Sequence, residues 1–100
     1  MGLHIQVDRE RIATFCRKWK IQEFSLFGSV LRQDFGPDSD VDVLVSLADD
    51  ADWSLYDWAE MIEELKAIFG RDVELVEKSG LRNPFRRQAI LTTKQVIYAA

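Results

Sequence analysis

The segment from Phe24 to Leu47, FSLFGSVLRQDFGPDSDVDVLVSL, constrains the fold of this chain more than any other. Its first apolar run stops at Gly28, and residues 40–45 then read DVDVLV. Alternation of acids and hydrophobic residues is typical of a β-strand, in which side chains at i and i+2 point to the same face. Asp40 and Asp42 are therefore predicted to lie side by side, about 7 Å apart along the strand, while the valines that follow them face a core.

Two carboxylates on one face of a strand repel each other unless a cation lies between them. Hard cations that prefer oxygen ligands, Mg²⁺ above all, meet that need. Gly28 and Ser29 stand between the preceding strand and a short helix predicted to begin at Ser29. Glycine lets the backbone approach a ligand closely, and a helix N-terminus with a hydroxyl offers donors to a phosphate. A phosphate site opposite a carboxylate pair is the minimum equipment for metal-assisted phosphoryl or nucleotidyl transfer.

The remaining periodicity predicts a small α+β domain that spans residues 1–100. Ser54 is a plausible N-cap for a long helix that ends at Gly70, with Asp57 as the capping-box acid. The predicted helices cover roughly residues 8–20, 29–34, 55–69 and 84–92, and the predicted strands cover 23–28, 40–47 and 71–76, followed by an apolar tail at 96–98. These elements indicate a small mixed sheet covered by helices on one face.

Composition excludes several classes of protein. The net charge of −4 argues against a nonspecific nucleic-acid binder, so no direct nucleic-acid binding is expected. No apolar run approaches the length of a membrane span, and the first residues lack the apolar region of a signal peptide. The single Cys16 has no partner for an internal disulfide, which fits a reducing compartment, and we expect a cytoplasmic protein.

Two rival explanations of the acidic segment can be weighed from the residues. Asp38, Asp40 and Asp42 occupy positions one, three and five of a calcium loop, but Val43 stands where that loop needs glycine and Asp49 where it needs glutamate. The other rival is a pair of exposed strand acids with no function, and the neighbouring glycine and serine argue against it.

These residues carry a resemblance to a known family. Gly28-Ser29, then Arg32, then SDVD at 39–42, and finally GRDVELV at 70–76 resemble the signature of the DNA polymerase beta-like nucleotidyltransferase superfamily. The short length and the spelling GSVLRQDFGPDSDVDVLV are most similar to the minimal nucleotidyltransferases, the MNT partners of HEPN proteins in bacterial and archaeal toxin–antitoxin pairs. The resemblance extends over most of the chain.

The resemblance implies roles for three acids. Asp40 and Asp42 would hold two Mg²⁺ ions that bridge the triphosphate of ATP. Glu74, on the third predicted strand, would complete one metal site and accept the proton of the attacking hydroxyl. Many relatives carry aspartate at that place, so Asp72 stays open as the alternative third acid.

The resemblance also implies a nucleotide-binding set. Gly28 and Ser29 would hold the β- and γ-phosphates, and Ser39 would belong to the same site. Arg32 would either contact a phosphate or pair with Asp34 or with Asp38.

A chain of this kind is expected to find its acceptor on another protein. The resemblance implies transfer of AMP from ATP to a tyrosine of a helical HEPN toxin, which silences that toxin. The alternatives are an antitoxin that masks its toxin by contact alone and an enzyme that modifies a small molecule such as an aminoglycoside. A homodimer is also compatible with the sequence.

Overall fold

The computed structural model describes residues 7–31, 35–36, 38–48 and 51–100. In those residues the order of elements is α1 (Arg9–Trp19), β1 (Ile21–Phe27), a first 3₁₀ turn (Gly28–Leu31), β2 (Val41–Leu47), α2 (Leu55–Phe69), β3 (Val73–Glu77), a second 3₁₀ turn (Lys78–Gly80), α3 (Pro84–Thr93) and β4 (Gln95–Ala99). The predicted α+β class is confirmed. The segment predicted only as an apolar tail is a strand, β4, which pairs with β1.

The four strands form one mixed sheet in the order β3-β2-β1-β4. β1 pairs antiparallel with β2 and with β4, whereas β2 and β3 run parallel. The register sets Phe27 opposite Asp42 and Asp42 opposite Glu74. Since residues directly opposite each other on adjacent strands point to the same face, this register brings Asp42 and Glu74 together.

The long helix α2 begins and ends where its sequence signals predict. Ser54 Oγ accepts from Asp57 N at 3.1 Å, and Asp57 Oδ2 accepts from Ser54 N at 3.0 Å, which is a capping box. Gly70 ends the helix in the left-handed region, at φ +71°, and its N–H donates to Lys66 O at 2.7 Å. This end returns the chain to the edge of β2, so that β3 can pair in parallel with it.

The main core lies between one face of the sheet and the helices α1 and α2. Its fully buried members are Ile12 and Cys16 from α1, Phe24 and Leu26 from β1, Val30 from the first 3₁₀ turn, Val41, Val43 and Val45 from β2, and Met61 and Leu65 from α2. As predicted, α1 and α2 cover one face of the sheet, whereas α3 lies against the other face, where Ile90 packs with Phe27 and Leu44. No helix in the described ranges is both long and apolar enough to cross a membrane.

A smaller apolar cluster lies on the other face, beneath α3. It consists of Phe27, Leu44, Leu81 and Ile90. Leu44 alternates with the inward valines of β2, so it must point away from the main core. Asp42 and Glu74 share this second face, and α3 therefore covers part of the surface on which the acids lie.

Candidate functional site

Asp42 is the central acid of the site. It lies on β2 between Phe27 of β1 and Glu74 of β3, and its side chain is half-buried. The pKa of its carboxyl is raised from the ordinary 3.8 to about 6, first by burial and then by a hydrogen bond with Glu74 and the negative charges of Glu74 and Asp40. The Ser29 N–H, 3.4 Å from Asp42 Oδ2, opposes this rise. The Asp42 carboxyl thus holds a proton below about pH 6.

Gly28 makes room for that carboxylate. Its φ is +72°, a conformation that residues with a side chain rarely adopt. A Cβ at this position would lie 2.3 Å from Asp42 Oδ2 and 3.2 Å from Asp42 Cγ. The sequence predicts a glycine that admits a ligand; the structure shows that the same glycine is also required by the protein's own acid.

Ser29 connects the first 3₁₀ turn to the acidic segment. Its Oγ donates to the backbone oxygen of Asp40 at 2.9 Å, and its N–H points at Asp42 Oδ2. The predicted helix at this point is a four-residue 3₁₀ turn over the described residues. Both donors of Ser29 therefore contact the segment that carries the acids.

The structure separates the two candidates for the third acid. Glu74 is exposed and contacts Asp42, its partner in the sheet register. Asp72 lies before β3, and its carboxylate is 3.9 Å from Lys66 Nζ of α2. Asp40 lies one residue before β2 rather than inside it, is exposed, and contributes its charge to the raised pKa of Asp42. The contact with Asp42 supports Glu74 over Asp72.

Ser39 closes a turn just before Asp40. Its Oγ accepts from the Gly36 N–H at 3.1 Å, and its own N–H donates to Gly36 O at 3.0 Å. Arg32 and Asp34 lie outside the described residues, so a contact of Arg32 with phosphate or with an acid stays a prediction.

Arg71 is a residue to which the sequence analysis assigned no role. Its Nη1 donates to the backbone oxygens of Gly36 and Ser39 at 2.9 and 3.1 Å, and its guanidinium lies 4.5 Å from the ring centroid of Phe35. These contacts span more than thirty positions of sequence. No local spacing could have revealed them, although the arginine of GRDVELV, two residues before β3, was visible in the sequence.

The acids present fit part of a magnesium site. Among the described residues, no group of three or more His, Cys, Asp or Glu side chains is arranged to hold a metal ion. Asp42 and Glu74 are nevertheless neighbouring hard oxygen donors, and a cation can replace the proton that Asp42 holds. Mg²⁺ commonly takes one or two carboxylates and completes its shell with water and substrate phosphates. The donor set fits Mg²⁺ bound together with a nucleotide.

Comparison with known proteins agrees with this chemistry. A family model described as a nucleotidyltransferase domain matches residues 9–97. A protein adenylyltransferase from Thermococcus cleftensis, MntA, is 33% identical over 81 residues, which cover 81% of this chain and 77% of that protein.

Two solved structures show the same fold. A toxin–antitoxin crystal structure with AMP-PNP superposes with a TM-score of 0.72 at 25% identity, covering 94% of this chain and 75% of that one. A Shewanella oneidensis complex of an MNT antitoxin with a tri-AMPylated HEPN toxin superposes with a TM-score of 0.62 at 24% identity, covering 92% and 70%. At that identity the second likeness establishes the fold alone.

Proposed function

Because the chain belongs to the nucleotidyltransferase domain family and is an enzyme of that kind, we propose that it transfers AMP from ATP to a tyrosine hydroxyl of a HEPN toxin and so acts as the toxin's antitoxin. The observation that carries the proposal is the Asp42–Glu74 pair, which lies against Gly28 and Ser29 on one face of the sheet. This pairing supports a metal-assisted transfer in which the nucleotide supplies the remaining ligands.

Each residue has a part in the proposed reaction. Asp40, Asp42 and Glu74 would hold two Mg²⁺ ions, which neutralise charge on the triphosphate and on the leaving pyrophosphate. Glu74 takes the proton of the attacking hydroxyl. The bond from that oxygen to the α-phosphorus forms as the bond from the α-phosphorus to the bridging oxygen breaks, and pyrophosphate leaves with the electron pair.

The proposal assigns phosphate binding to Gly28, Ser29, Ser39 and Arg32. The backbone at Gly28 and Ser29 would bind the β- and γ-phosphates, with Ser39 nearby. Ser29 has its donors on Asp40 and Asp42, so binding of a nucleotide would exchange at least one of these contacts for a phosphate oxygen. Arg32 would add a positive charge to the phosphates.

The relatives support both the proposed AMP donor, ATP, and a protein as the proposed acceptor of AMP. The Thermococcus cleftensis relative is a protein adenylyltransferase, and the structural neighbour at 25% identity is a toxin–antitoxin pair with an ATP analogue. Transfer of AMP from ATP to a partner protein is the reaction that accounts for both descriptions. ATP is accordingly the proposed substrate. Cys16, which is unpaired and buried, supports a cytoplasmic location, while a single domain over residues 1–100 and a homodimer stay predictions.

The test is transfer of labelled AMP. The chain is incubated with α-labelled ATP, Mg²⁺ and a candidate HEPN-type toxin, and label on that protein is measured. Asp42→Asn and Glu74→Gln are expected to lower the rate by about 10²-fold or more, because each removes a ligand at the reacting centre. Asp72→Asn is the matched control on the same segment, and its rate is expected to stay near that of the wild type.

Masking by contact is the second candidate function. It is favoured by the exposed apolar side chains Leu55, Tyr56 and Phe85, which are 86–89% exposed. The same variants separate the two functions. Asp42→Asn protein that still neutralises the toxin in cells, with no label transferred by the wild type, would contradict the enzymatic proposal and support masking.

A further inference from the structure

We propose that Arg71 is a positioning residue for nucleotide binding, which holds the segment before β2 so that Asp40 stands at a fixed place beside Asp42. This inference rests on the proposed function, since it concerns the same site. Arg71 lies between the end of α2 and the start of β3.

The guanidinium binds the segment at three points. One nitrogen, Nη1, donates to both Gly36 O and Ser39 O, and the planar group lies over the ring of Phe35 at 4.5 Å. Within the segment, Ser39 and Gly36 also bond each other through two hydrogen bonds. Arg71 therefore contacts both ends of a turn that is already closed, and fixes it to the sheet.

Asp40 is held from both directions. Its backbone oxygen accepts from Ser29 Oγ at 2.9 Å, and the backbone oxygen of the preceding residue, Ser39, accepts from Arg71 Nη1 at 3.1 Å. The next residue, Val41, donates its N–H to Asp72 O at 3.0 Å, directly after Arg71 in the chain. The Asp40 side chain is exposed, so its position depends on these backbone contacts rather than on packing.

The contacts require the geometry of arginine. Arginine presents several donors in a rigid planar fork and stacks on aromatic rings, whereas lysine presents a compact ammonium that can donate but does not stack. Arg71→Lys should thus keep part of the contribution of Arg71 to nucleotide binding, and Arg71→Ala should lose that contribution. Lys66→Ala is a matched control. Lys66 is also a cation close to Asp72, but its ammonium pairs with the carboxylates of Glu63 and Asp72 rather than with the backbone before β2.

The experiment titrates a non-hydrolysable ATP analogue into each variant by calorimetry, with and without Mg²⁺. Arg71→Ala is expected to weaken binding of the magnesium complex by about tenfold, as loss of residues that orient metal ligands commonly does. Binding without Mg²⁺ is expected to change much less, because Arg71 contacts protein rather than phosphate. The affinity of Arg71→Lys for the magnesium complex is expected to fall between those of the wild type and Arg71→Ala. Lys66→Ala is expected to match the wild type.

Each other result overturns the proposal. Unchanged affinity in folded Arg71→Ala, even with a lower melting temperature, would make the residue merely structural. An equal loss with and without Mg²⁺ would indicate direct phosphate contact. If Arg71→Ala fails to fold, Arg71→Lys and Phe35→Leu decide in the same titrations, and wild-type affinity in both would refute the proposal.

The two proposals fail separately. Wild-type protein that binds the magnesium complex yet labels no partner would contradict the proposed function and leave the role of Arg71 standing. Arg71→Ala that binds like the wild type, in a protein that does label its partner, would contradict only the role of Arg71.

Discussion

At the scale of single residues, Gly28 offers the sharpest test of the site's geometry. Gly28→Ala adds left-handed strain and puts a methyl group 2.3 Å from Asp42 Oδ2, so we expect a loss of about 2–4 kcal/mol in the free energy of unfolding. Gly70→Ala is the matched control, because Gly70 has nearly the same φ, +71°, with nothing within 4 Å of the added carbon. It should cost about 1 kcal/mol. Equal losses in urea unfolding would contradict the close approach of Asp42.

The carboxyl of Asp42 also predicts a pH dependence of stability. Its pKa in the folded chain, about 6, is above the ordinary 3.8, so the folded state binds this proton more tightly than the unfolded state does. The resulting stability is fully present below about pH 4 and is lost as the pH rises through about 6. After allowance for solvent screening of a half-buried group, we expect about 1–2 kcal/mol.

The measurement is urea unfolding of metal-free protein between pH 4 and 8, compared with Asp42→Asn. The variant should lack this component. Glu23 contributes with the opposite sign, because its hydrogen bond with Lys94 lowers its pKa, and it is present in both proteins. Parallel pH profiles for the two proteins would show that Asp42 does not carry the proton.

At the scale of elements, α3 stabilises the face of the sheet that carries the acids. Ile90 is 6% exposed within the second apolar cluster, so Ile90→Ala should cost about 2–4 kcal/mol through lost burial and a cavity. Phe85→Ala on the same helix, at a side chain 86% exposed, should change stability by less than about 0.5 kcal/mol. Similar losses in chemical unfolding would mean that α3 does not pack on this face.

At the scale of the whole molecule, ligand binding should appear as thermal stability. A ligand that binds only the folded state at a hundred times its Kd adds about 2.7 kcal/mol, which for a chain of this size raises Tm by about 10 °C or more. We expect that shift for ATP with Mg²⁺ and a much smaller one for ATP in EDTA. In Asp42→Asn the Tm shifts for ATP with Mg²⁺ and for ATP in EDTA should be equal. If the magnesium-dependent shift persists in this variant, the metal binds elsewhere.

Most of the fold could be predicted because its signals are local. The capping box at Ser54, the glycine at position 70 and the alternation in β2 each depend on residues within a few positions of one another. The same alternation separated inward valines from outward acids. β4 was harder to predict, because the hydrophobic alternation of a five-residue edge strand with mixed exposure is too weak to distinguish the strand from an irregular tail.

The local pattern of the chain was enough to indicate the strand that carries Asp42, the turn at Gly28 and the class of chemistry. Only the tertiary structure decided that Glu74 rather than Asp72 meets Asp42, that Gly28 is required by a carboxylate of the protein itself, and that Arg71 holds the segment before Asp40. The reason is physical: helix caps and strand periodicity act over a few residues, whereas the pairing of parallel strands and the reach of a guanidinium join residues some thirty positions apart.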